Sequence, residues 1–129
     1  METRYRDLFA KHVLSILSLS DQPDPKSALV VRGGIQLGSG FSRSTGTSSD
    51  TSPIIEALLC YYAMRSVWDF NDEPCIFCTY FPSLEEFKSI FITDIRLIYY
   101  MGEITDAETV KFINTCSGKS FKIIQLQFD

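Results

Sequence analysis

The chain has 129 residues, 45% apolar and 22% charged, which excludes a disordered chain and points to one globular domain around a single core. Its formal charge of -4 excludes an overall electrostatic footprint for nucleic acid, so any contact with RNA needs a local patch or a more basic partner. No apolar run reaches the ~18 residues that span a bilayer, and METRYRDLFAKH lacks a secretory pattern, so a reducing compartment, cytoplasmic or nuclear, is expected.

From about Glu2 to Leu19 the chain reads as an amphipathic helix, with Tyr5, Leu8, Phe9, Val13, Ile16 and Leu17 at helical spacing. Asp21-Gln22-Pro23-Asp24-Pro25 ends it. Ala28–Arg32 and Ile35–Leu37 are two short strands around Gly33-Gly34, a tight hairpin. Residues 38–51, rich in Gly, Ser and Thr, read as an exposed loop. A helix starts at Ser52, where the hydroxyl caps the first turn and Pro53 suits the first helical position. Ser66–Phe70 reads as a strand, after which Asn71-Asp72-Glu73-Pro74 turns into Cys75 and Cys78. Ser83-Leu84-Glu85-Glu86 is a capping box that opens another helix. Ile95–Met101 is a strand, Ala107–Asn114 a helix and Phe121–Phe128 a last strand. The order α-β-β-α-β-α-β-α-β predicts a three-layer α/β/α sandwich over residues 1–129, with one mixed sheet of about five strands.

Glu73-Pro74-Cys75-Ile76-Phe77-Cys78 carries the chemistry. Cysteines three apart at the end of a strand and the start of a helix would place two thiolates on one helical turn, where the helix N-terminus favours their charge and both reach one metal. Three readings stay open for the pair: a zinc site or its remnant, free thiols, and a redox couple.

With that motif in place, the chain resembles the zinc-dependent cytidine and tRNA adenosine deaminase superfamily, whose signature is H-x-E followed by P-C-x-x-C. The stretch Ser52-Pro53-Ile54-Ile55-Glu56-Ala57-Leu58 is similar to the family's H-A-E-x-x-A-[IL] helix, and Ile95–Gly102 to its strand ending in Tyr-Gly. In this register Ser52 replaces the zinc histidine and Ile54 the general acid/base glutamate. A second register, on Glu56, keeps a glutamate as a candidate base but puts Ile54 at the ligand position; the first also accounts for Ala57-Leu58 and the cap. Both lose the histidine, so Cys75 and Cys78 alone would make an incomplete zinc site. The resemblance implies a non-catalytic subunit, like the one in the heterodimeric eukaryotic tRNA adenosine deaminase. Its partner would be a catalytic deaminase subunit, it would meet tRNA through the complex, and it would support adenosine-to-inosine editing at the wobble position. The apolar helix at Ile54–Tyr62 would belong to the subunit interface.

Two other functions compete: an active deaminase using Glu56 and an unusual third ligand, and a binding module that reuses the fold without catalysis. Asp50 is a further possible metal carboxylate. His12, far from the cysteines, reads as a surface or packing residue. Cys60 is expected to be buried, and Cys116 suggests nothing specific. Lys26, Arg32 and Arg43 are the loop cations available to an RNA backbone.

Overall fold

The computed structural model describes residues 3–20, 24–42, 52–116 and 121–127. Helix α1 is Thr3–Ile16, followed by a 3-10 turn at Leu17–Leu19. Strands β1 (Ser27–Arg32) and β2 (Ile35–Phe41) form the hairpin, with Gly33 and Gly34 at φ 62° and 73° in its turn. Glycine adopts that left-handed backbone without steric cost. Helix α2 (Pro53–Ala63), strand β3 (Pro74–Cys78), helix α3 (Leu84–Phe91), strand β4 (Leu97–Met101), helix α4 (Ala107–Thr115) and strand β5 (Lys122–Leu126) follow.

The strands form one mixed sheet in the order β2-β1-β3-β4-β5. β1 is antiparallel to both β2 and β3, whereas β3, β4 and β5 run parallel. Side chains alternate between the two faces of such a sheet. Leu29, Val31, Cys75, Phe77, Tyr99 and Met101 pack with Ala10, Val13 and Ile16 of α1. Ala28, Val30, Ile76, Cys78, Ile98 and Tyr100 pack with residues of α2 and α3, and α4 adds Val110, Phe112 and Ile113. The expected three-layer sandwich with five strands is therefore the observed architecture.

Two expectations need correction. Residues 38–41, read as loop, belong to β2. Glycines sit there because α2 lies directly on that strand: a Cβ on Gly38 would run into the Ala57 carbonyl, and one on Gly40 would run into the Pro53 carbonyl and meet Glu56 Cβ at 2.9 Å. Ser66–Phe70 is not a strand. A 3-10 turn at Arg65–Val67 runs into it, followed by Trp68, whose ring stacks on Tyr61 at 4.2 Å between centroids. Arg32 holds this segment from below, donating through Nε to the Asp69 carbonyl at 2.9 Å and lying over the Trp68 ring at 5.0 Å. The third strand is Pro74–Cys78, and all five of its residues are buried.

Between β3 and β5, one carboxylate organises two helices. Asp106 caps α4 by accepting the N–H groups of Glu108 and Thr109, and its other oxygen accepts Leu84 N–H at 3.0 Å in the first turn of α3.

Candidate functional site

The cysteines do not lie on a helix, and this corrects the expected metal geometry. In β3, positions 75 and 78 are separated by three residues, an odd number, so their side chains leave opposite faces of the sheet. Cys75 belongs to the core under α1, and Cys78 to the core under α2 and α3. Burial pushes the Cys75 thiol from its ordinary 9.0 up to about 12, and burial with nearby Glu86 raises Cys78 as well. These are neutral packing thiols rather than poised ligands.

The strand-to-helix junction that the cysteines were expected to occupy falls four residues after Cys78. It reads Pro82-Ser83-Leu84-Glu85-Glu86, with Ser83 as the N-cap of α3 and Glu86 at its third helical position. Proline and two polar residues three apart thus stand where P-C-x-x-C reasoning places the thiols. Ser52, the N-cap of α2, meets them. Its hydroxyl accepts Ile55 N–H at 3.2 Å and donates to Glu86 Oε2 at 2.6 Å. The Tyr80 hydroxyl, from the loop before α3, donates to the same Oε2. Glu86 Oε1 accepts Ser83 N–H at 3.2 Å, and Ser83 Oγ accepts Glu86 N–H at 3.2 Å, which completes the capping box.

Glu86 is 8% exposed, and no ion pair reaches it among the described residues. Three hydrogen-bond donors and the first turns of two helices stabilise its charge instead. The Tyr80 phenol is driven well above its ordinary range by burial, reinforced by the neighbouring carboxylate, so it remains a donor. The backbone N–H of Ile54 also faces that hydroxyl.

The other singled-out residues are scattered. Ile54 is fully buried against the sheet, so the position expected for a proton shuttle is aliphatic core. Glu56 is half-buried in the first turn of α2. His12 is exposed on α1, under the opposite face of the sheet. Cys60 is exposed, contrary to expectation, and Cys116 is half-buried. Arg32, expected as a loop cation, is buried and tied to Asp94 at 2.6 Å and to the Tyr61 hydroxyl at 2.7 Å. Lys26 is exposed beside Tyr80, 5.2 Å from its ring centroid. Asp50 and Arg43 lie outside the described residues.

A zinc ion needs three N, S or O ligands from the protein with room for a fourth. At the joined helix ends the buried carboxylate is Glu86, whose oxygens already accept three hydrogen bonds, and one buried thiol, Cys78, lies near it. Among the described residues no three His, Cys, Asp or Glu side chains come together. The residues present do not fit the metal.

Beside the network, at the carboxyl ends of β3 and β4, a cavity of about 300 Å³ is lined by Lys26, Thr79, Tyr80, Phe81, Gly102 and Glu103 among others. Open α/β sheets bind ligands at that end. Sequence reasoning identified Ser52, Ile54 and the capping box but not the meeting of Ser52 with Glu86. Pro82 directly before the box was the available signal; nothing in the sequence marks Tyr80.

No family model and no curated protein sequence matches the chain. Its fold is nonetheless similar to that of solved deaminases. The dCMP deaminase of the cyanophage S-TIM5 in apo form superposes with a TM-score of 0.73 at 17% identity, covering 98% of this chain and 100% of that one. Acinetobacter baumannii RibD gives 0.67 at 12% identity over 95% of this chain and 35% of its own. A structure from work on A-to-I editing by tRNA:A34 deaminases at the wobble position gives 0.63 at 16% identity, covering 96% and 98%. At these identities the shared property is the fold, and the chain has the deaminase fold.

Proposed function

We propose that this chain is a non-catalytic deaminase-fold subunit that works beside a catalytic deaminase in converting adenosine to inosine at the tRNA wobble position. One observation carries the reading: the joined first turns of α2 and α3 hold Ser52, Ile54, Ser83 and Glu86. Hydrolytic deamination of a base needs an activated water and a residue that moves its proton. Ile54 is aliphatic and buried, and the buried carboxylate of Glu86 already accepts from Ser52, Tyr80 and Ser83.

The outer side of α2 supports a partner. Ile54, Ala57, Leu58 and Tyr61 face the sheet, whereas Ile55, Leu59 and Tyr62 form a second apolar stripe at i, i+4, i+7 on the exposed side. Leu59 is 68% exposed. A helix that is apolar all round ordinarily has something on both sides. The choice of tRNA rests on the likeness of SPIIEAL to the degenerate helix motif of the non-catalytic subunit, and on the tRNA:A34 deaminase fold among the similar structures. With a charge of -4, this chain leaves the RNA backbone mainly to its partner.

The test is affinity purification of the tagged chain from its own cells. A stoichiometric partner with intact H-x-E and P-C-x-x-C, and inosine formation on tRNA by the pair but not by this chain, is the expected result. Recovery of the chain alone or as a homodimer overturns it.

The cavity beside Tyr80 and the likeness to a dCMP deaminase favour a second reading, a binding module for a nucleotide without catalysis. Titration of the isolated chain with dCMP separates the two: saturable binding without turnover supports the module.

A further inference from the structure

We infer that the Ser52–Tyr80–Ser83–Glu86 network stands in the place of a metal ion as the cross-brace between α2 and α3, so that this chain joins its two helix N-termini with side-chain oxygens alone. The inference concerns how the fold is held and does not depend on which partner or ligand the chain meets.

Two helix ends that approach each other carry like partial charges and orphan N–H groups, so the junction needs an anion or a cation bound by anions. Here the anion is part of the chain. Glu86 supplies it from within α3, and its carboxylate serves both helices. On the α3 side, Oε1 accepts Ser83 N–H at 3.2 Å. On the α2 side, the contact is relayed by hydroxyls. Ser52 accepts the Ile55 N–H at 3.2 Å and donates its own O–H to Oε2 at 2.6 Å. Tyr80 faces the Ile54 N–H and donates to the same oxygen. The Ser52 hydroxyl is used as acceptor and as donor, so a donor of the first turn of α2 reaches a carboxylate on another helix. Such chains polarise one another and gain from being buried together.

The same geometry closes the junction to a metal. A divalent ion at Glu86 Oε2 would have to displace one of these donors and would then find hydroxyls in place of thiolate or imidazole. The arrangement also implies that positions 52, 83 and 86 converge on one point. Ligands put back there meet.

The experiment uses the full chain and three readouts. The unfolding midpoint of the wild type is expected to stay unchanged after dialysis against a chelator, and added Co²⁺ is expected to give no thiolate-to-cobalt absorption. Ser52→Ala and Glu86→Gln are each expected to lower the midpoint by on the order of 4 °C. The double variant is expected to fall by clearly less than the sum, because the two changes break one network. The triple variant Ser52→His, Ser83→Cys, Glu86→Cys is expected to bind one Co²⁺ with the absorption of a tetrahedral thiolate site. Stoichiometric metal in the wild type whose removal lowers the midpoint overturns the inference. So does strict additivity of the two single variants, or a folded triple variant that takes up no Co²⁺. Should the triple variant fail to fold, additivity and the chelator result decide.

Discussion

The Ser52 hydroxyl donates to Glu86 Oε2 at 2.6 Å, joining the first turn of α2 to the first turn of α3 across 34 positions of sequence. The bond is worth most through what its loss leaves behind. Glu86→Ala would strand the Ser52 and Tyr80 hydroxyls and remove half of the α3 capping box, a cost of about 3 kcal/mol. Tyr80→Phe removes one donor to a carboxylate that keeps two others, and about 1 kcal/mol is expected. Urea unfolding at constant slope measures both. Equal losses for the two variants would count against Glu86 as the hub.

Three of the thiols should separate cleanly in alkylation at pH 8. Cys60, exposed, is expected to react quickly, and Cys75 and Cys78 only when the chain unfolds. The raised thiols also set an alkaline limit on stability. The unfolded chain loses the Cys75 proton near 9.0, whereas the folded chain keeps it up to about 12. Stability from this group is therefore complete below pH 9 and falls as pH rises through that window. Burial raises Cys78, Tyr61 and Tyr80 in the same direction. Cys75→Val should flatten part of the alkaline decline; an unchanged profile would remove Cys75 from the account.

Gly38→Ala tests how closely α2 lies on β2. Its Cβ would strike the Ala57 carbonyl and come within 2.9 Å of Tyr61 N, both backbone atoms of the helix. Overpacking of this kind costs about 1–3 kcal/mol. Gly34→Ala, with open space around it but φ at 73°, should cost less, about 1 kcal/mol from the left-handed backbone alone. Thermal unfolding of the two variants gives the order directly, and a more damaging Gly34→Ala would reverse the interpretation.

Asp94→Ala should be the worst single change at the other end of the sheet. It leaves the Arg32 guanidinium, 4% exposed, without its carboxylate at 2.6 Å, and removes the acceptor of the Tyr61 hydroxyl at 3.0 Å. Because Asp94 itself is 44% exposed, the loss is expected to be about 2–3 kcal/mol, below the range for a fully buried pair. Adding Arg32→Met in the same chain should recover part of it, since the stranded charge goes too. If the double variant is no more stable than Asp94→Ala, charge stranding is not the cause.

Much of this fold was legible from local chemistry. The Gly33-Gly34 turn, the Ser52 cap with Pro53 and the Ser83–Glu86 box each state their geometry in two to four residues. The third strand was not. Pro74–Cys78 is buried on both faces, so it shows no alternation, and a short apolar run with C-x-x-C looks equally like the start of a helix. Ser66–Phe70 has strand-forming residues, but its aromatic ring is used to cover Tyr61. Misplacing that strand by eight residues moved the expected thiols onto the junction and hid Ser83 and Glu86 as its real occupants. The Ser52–Glu86 contact depends on two helices meeting, which no local pattern contains.

The single carboxylate of Asp106 is shared by two helices, and this bears on how the protein opens. Its Oδ2 holds Leu84 N–H at the start of α3, and its Oδ1 holds Glu108 and Thr109 N–H at the start of α4. Neither helix can fray at its beginning without releasing the other. Amide protons in the first turns of α3 and α4 should therefore exchange with solvent at matched rates, as one cooperative unit. An Asp106→Asn chain should lose that synchrony before it loses its fold.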